Sequence, residues 1–152
     1  MIYVFITLIL IAADQYTKHL AANNLVDNSI NIFNWFKLTY VENSGAAFGM
    51  LAGKQTFFIV LTAGVLVVFS AYVINHRLEF NTLEKIALTL FFSGAVGNFI
   101  DRLMNAYVID FISVRLFNVY DFPVFNLADT YISISAVLFI IIYHKISCYC
   151  VI

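Results

Sequence analysis

The chain has 152 residues, of which 62% are hydrophobic and 11% are charged, and its formal net charge is −1. Soluble domains contain about 45–50% apolar and about 25% charged residues. A soluble domain of this length is excluded, because its interior is too small for so many apolar side chains. The near-neutral charge gives no reason to expect a nucleic-acid partner. The composition therefore predicts an integral membrane protein.

Four apolar segments are long enough to cross a bilayer as helices, which takes about 20 residues. They are residues 2–22, 57–74, 83–100 and 127–144. The first lacks the preceding positive charge and the small-x-small cleavage pattern of a signal peptide, so we expect it to be retained. Lysines and arginines fall on both sides of such a bundle, so charge alone does not settle its orientation. We predict an all-α, four-transmembrane-helix bundle forming a single domain over residues 1–152.

The three connections between these segments are unequal. Residues 75–82 make a short polar turn, which predicts antiparallel second and third helices. The other two connections, residues 23–56 and 101–126, are long and apolar, and in a four-span bundle they share one membrane face. Their alternation is of a strand-like or surface-lying kind, so we expect both to pack against lipid headgroups and the end of the bundle. We expect the connection between the first two helices to form a small apolar platform, in which short β-strands are allowed. The polar residues near this face are the candidates for a functional site.

Charged side chains inside membrane spans are costly and usually face a partner or a cavity. In the first span, Asp14 and Lys18 stand four residues apart on one helix face. An ion pair within the helix explains them without a catalytic role, and a functional site is the alternative. The segment 43–49, beginning Asn-Ser-Gly, is typical of a turn with close backbone approach and, taken alone, is a loop.

The third span carries a polar face at its end. Gly94, Gly97, Asn98 and Asp101 follow the three-and-four spacing of one helix face. The small residues permit tight packing, and the two polar residues point into the bundle. A packing seam with a polar staple and a functional site explain this pattern equally well. Arg102 is predicted to hold carboxylates or carbonyl groups in place.

Two further aspartates lie at the platform face. Asp129 and Asn126 fit a capping box at the start of the last helix, which would explain Asp129 structurally. Asp110 stands alone in an apolar run, and a second carboxylate nearby is one way to share a proton. Two close aspartates support aspartic-type peptide hydrolysis, in which one activates water and the other protonates or polarises the scissile carbonyl.

The sequence lacks the catalytic motifs of the other hydrolase mechanisms. The three histidines lie outside the long connections, no zinc-peptidase motif or serine nucleophile elbow occurs, and Cys148 and Cys150 are expected to be free thiols. We expect no metal and no cofactor. A proton-coupled transporter with an aspartate relay is disfavoured, because the aspartates gather towards one face. A purely structural subunit leaves Asp110 without a partner.

The ordered motifs resemble one known family. The chain resembles the bacterial lipoprotein signal peptidases, also called signal peptidase II, through five motifs. They are Asp14-x-x-Thr-Lys18, Asn43-x-Gly-Ala-Ala-Phe48, Gly-x-x-Gly97-Asn98-x-x-Asp101-Arg102, Val108-x-Asp110-Phe111 and Phe125-Asn126-x-Ala-Asp129. Ser93 stands where the family often has a second glycine, which is expected to relax the packing there slightly.

The resemblance implies a membrane aspartic endopeptidase that removes the signal peptide of prolipoproteins before a diacylglyceryl-modified cysteine. It implies that Asp110 and Asp129 are the catalytic dyad and that the other motif residues shape the substrate site. These are Asp14, Lys18, Asn43, Gly45, Gly94, Asn98, Asp101, Arg102 and Asn126. It also implies a monomer in the bacterial inner membrane, with cytoplasmic termini, an active site near the outer leaflet and sensitivity to globomycin. The expected partners are the lipidated prolipoproteins and membrane lipids.

Overall fold

A computed structural model describes residues 1–45, 53–76, 78–117 and 119–149, with side chains as far as residue 144. Its helices are α1 (Ile2–Asn24), α2 (Gln55–His76), α3 (Thr82–Asn105) and α4 (Leu127–Tyr149). Each helix contains one of the four predicted apolar segments. The Ala-Ala-Phe part of the second motif and Cys150 lie outside the described residues, and the side chain of Cys148 does as well.

Three of these helices are long and apolar enough to cross a membrane. They are Gln55–His76, Thr82–Asn105 and Leu127–His144. None of the residues of α2 is buried within the protein. An apolar helix this exposed needs an apolar medium around it, so α2 faces lipid. α1 has the length of a span, but it carries charge, and it is not one of the three that length and composition select.

The two long connections together form a four-stranded antiparallel sheet in the order β1-β2-β3-β4. Its strands are β1 (Ile30–Phe33), β2 (Phe36–Asn43), β3 (Val108–Leu116) and β4 (Tyr120–Asp121). The sequence predicts the platform from the connection between the first two helices alone, whereas the structure also draws β3 and β4 from the connection before α4. The pairing of β2 with β3 sets Asn43 opposite Val108 and Val41 opposite Asp110. A candidate turn residue and a candidate catalytic residue are thereby brought together.

α3 packs against each of the other three helices. Its buried face includes Gly94, Gly97, Asn98 and Asp101, as the spacing predicts. A Cβ atom at Gly94 would overlap the carbonyl oxygen of Ala128 in α4, and one at Gly97 would lie 2.6 Å from Asp14 Oδ2 in α1. α1 and α4 therefore approach α3 as closely as glycine allows.

The end of α3 differs from the prediction. The apolar segment was predicted to end at residue 100, but the helix continues to Asn105 and includes Asp101 and Arg102. The predicted segment ends before the charged pair Asp101-Arg102, yet a charged side chain is compatible with a helix that gives it buried partners. Asp101 is only 2% exposed and has such partners. The charged pair thus belongs to the helix and not to the following connection.

Candidate active site

The two candidate catalytic aspartates come from different elements and line the same cavity of about 500 Å³. Asp110 lies on β3 and Asp129 in the first turn of α4. The capping box predicted for α4 is present, since Asn126 Oδ1 accepts the Asp129 N–H at 2.9 Å and Asp129 Oδ2 accepts the Asn126 N–H at 3.3 Å. The capping box fixes Asp129 in the first turn of α4 and leaves Asp129 Oδ1 for another partner.

The Asp110 carboxylate is buried and accepts a hydrogen bond on each oxygen. Asn43 Nδ2 donates to Oδ2 at 2.9 Å, and Asn126 Nδ2 donates to Oδ1 at 2.7 Å. Asn43 is held in turn, because its Oδ1 accepts the Gly45 N–H at 3.0 Å. The turn predicted from Asn43 to Gly45 thus serves to aim an amide at Asp110.

Two asparagine amides connect the aspartates. Asn98 Nδ2 donates to Asp129 Oδ1 at 2.7 Å, and Asn98 Oδ1 accepts from Asn126 Nδ2 at 3.1 Å. Because Asn126 Nδ2 also donates to Asp110, hydrogen bonds run from Asp110 through Asn126 and Asn98 to Asp129. Each carboxylate is therefore oriented by a neutral amide.

Burial raises the pKa of Asp110 from its usual 3.8 to about 7. The hydrogen bond from Asn43 opposes this effect, because it favours the ionised carboxylate, and the charge of Asp129 reinforces it. Near neutral pH, Asp110 therefore holds its proton in a large fraction of molecules. A carboxyl with a pKa close to the working pH is suited to general acid–base catalysis.

Behind the dyad lies a buried ion cluster. Lys18 Nζ is 2.9 Å from Asp14 Oδ2 and 3.0 Å from Asp101 Oδ2, and these side chains are at most 3% exposed. The ion pair predicted within α1 is present, but it also reaches α3. Lys18 donates as well to Asn98 Oδ1 at 2.9 Å, which connects the cluster to the amides at the dyad.

The same cluster holds the backbone of the elements that carry the dyad. Asp14 Oδ1 accepts the N–H of Ala128, next to Asp129, at 2.9 Å. Asp101 Oδ2 accepts the N–H of Ile109, next to Asp110, at 3.1 Å. The residues predicted in the first and third spans therefore act on the neighbours of both aspartates.

Gln15 belongs to this cluster, but it is not among the site residues predicted from the sequence. Its Nε2 donates to Asp101 Oδ1 at 3.0 Å and to the carbonyl of Gly97 at 3.1 Å, and lies 3.3 Å from Asp14 Oδ2. The available signal was a polar amide beside a charged residue within an apolar helix, where such groups bridge helices.

Arg102 holds a carbonyl group, as predicted. Its Nη2 donates to the carbonyl oxygen of Gly45 at 3.2 Å, and its guanidinium lies 5.1 Å from the ring centre of Phe58. Among the described residues it forms no ion pair with a carboxylate. Arg102 lines the cavity, and its buried Nε has no partner in the described part of the chain.

The remaining walls of the cavity are mostly apolar and were not selected from the sequence. They include Phe122 and Val124 before α4, and Ile132 and Ile134 within it. Ile134 is 45% exposed on the outer surface of an apolar helix. The cavity therefore joins a polar end, which contains the aspartates, to an apolar wall that continues towards lipid.

Apolar helices around a cavity with an aspartate pair are the arrangement expected of a membrane-embedded peptidase of the aspartic type. Comparison with known proteins makes this more specific. A family model described as signal peptidase (SPase) II matches residues 6–145. The chain therefore belongs to the signal peptidase II family.

Individual relatives agree with the family model. The lipoprotein signal peptidase of Staphylococcus haemolyticus is 42% identical over 146 residues, covering 92% of this chain and 90% of the relative. That of Staphylococcus aureus is 38% identical over 140 residues, covering 91% and 85%. The activity is thus that of a membrane signal peptidase that cleaves lipoprotein signal peptides, and sensitivity to globomycin is typical of the family.

Solved structures support the same assignment. A bacterial membrane enzyme superposes with a TM-score of 0.83 at 34% identity, covering 94% of this chain and 87% of the other. A second bacterial membrane enzyme gives a TM-score of 0.79 at 34% identity, covering 93% and 91%. The likeness extends over nearly the whole chain.

Proposed function

We propose that Asp110 and Asp129 are the catalytic dyad for removal of the signal peptide from diacylglyceryl-modified prolipoproteins, with cleavage just before the modified cysteine. The observation that carries this proposal is that both carboxylates line one cavity and each accepts a short hydrogen bond, 2.7 Å, from an asparagine amide. Such fixed carboxylates can exchange protons with a water and a peptide held between them.

In the proposed reaction, Asp110 carries the shared proton in the resting enzyme, because its pKa is raised to about 7. Asp129 accepts a proton from water as the water oxygen attacks the scissile carbonyl carbon, and Asp110 gives its proton to the carbonyl oxygen. When the tetrahedral intermediate collapses, the C–N bond breaks and the leaving amine receives a proton from Asp129. Asp110 recovers its proton from the intermediate, so no covalent acyl-enzyme forms.

The shape of the cavity supports a lipid-bearing substrate. The peptide would lie across the aspartates at the polar end, and the acyl chains would follow the apolar wall that includes Ile132 and Ile134. Acyl chains placed there stay in an apolar medium and avoid the loss of about 0.8 kcal/mol for each CH₂ group exposed to water. We therefore expect the lipidated precursor to bind far better than the unmodified one.

We further propose that α1 is the fourth membrane span, although its composition alone does not select it. Its Asp14 and Lys18 are almost completely buried against α3, so neither charge faces lipid. Four spans put both termini on one side of the membrane, and the sheet and dyad on the other. We place the protein in the bacterial inner membrane with both termini in the cytoplasm, so that the active site lies near the outer leaflet. In this proposal the protein acts as a monomer and needs no cofactor.

The test is cleavage of a diacylglyceryl-modified precursor, beside an unmodified one, by the purified protein in detergent. Wild type should cut only the modified form, and Asp110→Asn and Asp129→Asn should each lower kcat by on the order of 10²–10⁴-fold while remaining folded. Asp121→Asn is the matched control, because Asp121 lies on β4 in the same sheet but is exposed and paired with Arg115 at 2.7 Å. The dyad assignment is wrong if either active-site variant keeps the turnover of the Asp121→Asn control.

A further inference from the structure

We propose that Lys18 is a positioning residue for catalysis, because its ammonium fixes the orientation of the Asn98 amide and, through it, the direction of the Asp129 carboxylate. The proposal rests on the dyad proposed above. Lys18 lies on α1 and is not part of the cavity lining, and its partner Asn98 is the one of its contacts that donates to Asp129. It is therefore not a catalytic residue.

The orientation of an asparagine amide is decided by its neighbours, since one end accepts hydrogen bonds and the other donates them. Asn98 Oδ1 faces two donors, Lys18 Nζ at 2.9 Å and Asn126 Nδ2 at 3.1 Å. The opposite orientation would turn the NH₂ group of Asn98 towards an ammonium and another NH₂ group. With the oxygen held on that side, the nitrogen must face Asp129, to which it donates at 2.7 Å.

The ammonium itself has no freedom to turn away. A lysine ammonium has three N–H donors, and three acceptors surround Lys18: Asp14 at 2.9 Å, Asp101 at 3.0 Å and Asn98 at 2.9 Å. The Lys18 side chain is 2% exposed. A buried charge with every donor used is costly to displace, so the position of Asn98 Oδ1 is fixed by α1 and α3 together.

Replacing Lys18 by an uncharged side chain should therefore slow the step in which Asp129 takes a proton from water. In Lys18→Met, Asn98 Oδ1 loses its charged donor and keeps the weaker donor Asn126 Nδ2, so the amide is held less firmly and no longer fixes Asp129 Oδ1 in one direction. The carboxylate then leaves the direction needed to take a proton from water. Loss of a partner that orients a metal ligand typically lowers activity by about 10- to 100-fold. We expect a loss of similar size here, in kcat, with KM little changed.

A double-mutant cycle on kcat tests whether Lys18 acts through Asn98. The variants are Lys18→Met, Asn98→Ala and the two combined, each measured per folded molecule in single-turnover cleavage of the lipidated precursor. If the lysine acts through the amide, the double variant is no slower than Asn98→Ala alone, because nothing remains for Lys18 to orient. Losses that multiply would overturn the proposal.

A charge-matched variant separates orientation from the electric field and keeps the test valid if Lys18→Met does not fold. Lys18→Met combined with Asp14→Asn leaves Asp101 as the one charge of the cluster, so its net charge stays at −1, as in the wild type. Asn at position 14 retains an oxygen for the Ala128 N–H. We expect the kcat defect to persist in this variant, and recovery to the wild-type kcat would overturn the proposal.

The two proposals fail in different ways. If Asp110→Asn or Asp129→Asn keeps control activity, the dyad is wrong and the orientation of Asn98 has no catalytic meaning. If both variants are inactive but the cycle is multiplicative, the dyad stands and only the role of Lys18 is refuted. A loss of activity in Lys18→Met that matches its loss of folded protein, with unchanged kcat per folded molecule, also refutes it.

Discussion

Adding one methyl group at Gly94 should move α4 and, with it, Asp129. The new Cβ would overlap the carbonyl oxygen of Ala128 and would lie 2.7 Å from Ile132 Cγ1. The side chain of Ile132 can turn, but Ala128 is part of the backbone of the first helical turn. Relief of the contact therefore requires α4 to shift outward.

The magnitude follows from two opposing effects. Overpacking a well-packed interface costs typically 1–3 kcal/mol, and a contact with backbone belongs at the upper end of that range. Alanine improves helix propensity over glycine by roughly 0.5–1 kcal/mol. We expect Gly94→Ala to destabilise the protein by about 2 kcal/mol. Because displacement of a reacting group by about 1 Å can cost on the order of 10²-fold, we expect kcat to fall by about 10- to 100-fold.

Gly64→Ala in α2 is the matched control, because a Cβ atom at Gly64 meets nothing within 4 Å. It changes the same residue type in another apolar helix and should leave cleavage unchanged and stability equal or slightly higher. The measurements are thermal unfolding in one detergent and cleavage of the lipidated precursor. If Gly94→Ala unfolds and cleaves like Gly64→Ala, the close packing of α3 on α4 does not position Asp129.

The pKa of Asp110 gives two further predictions. Since it is raised from 3.8 to about 7, Asp110 stabilises the folded protein fully below pH about 4, and this stabilisation is lost as the pH rises through 7. The melting temperature should therefore fall between pH about 4 and about 7, whereas kcat should fall above pH about 7, where Asp110 loses its proton. Asp110→Asn should flatten the curve of melting temperature against pH, and an unchanged slope would contradict the assignment. Asn43→Ala removes a hydrogen-bond donor that lowers the pKa of Asp110, so the pH at which kcat falls should move higher. A move to lower pH would contradict this role of Asn43.

Local patterns in the sequence predicted most of the secondary structure and one piece of the site. The four helices correspond to the four apolar segments, because a bilayer-length run of apolar residues has few alternatives to a helix. The capping box of Asn126 and Asp129 was predictable from spacing alone, since both partners lie within one helical turn. In each case the interacting groups are neighbours in the chain.

Long-range pairings were not predictable in the same way. No local pattern in the first connection predicts that Asn43 lies beside Asp110, because the register between distant strands depends on the whole fold. The i,i+4 spacing predicted the pair of Asp14 and Lys18, but not the contact of Lys18 with Asn98, 80 residues later. Motif resemblance grouped these residues without saying which atom touches which, and it passed over Gln15.

The pairing of Asp14 with Lys18 also bears on how the chain is made. As the fourth membrane span proposed above, α1 leaves the ribosome long before Asn98 and Asp101 are made, and its two charges enter the membrane without their final partners. Opposite charges one helical turn apart can neutralise each other in the meantime. When α3 arrives, the ammonium gains Asp101 and Asn98 without giving up Asp14. The ion pair between Asp14 and Lys18 therefore neutralises the two charges during insertion and remains as part of the buried cluster in the folded protein.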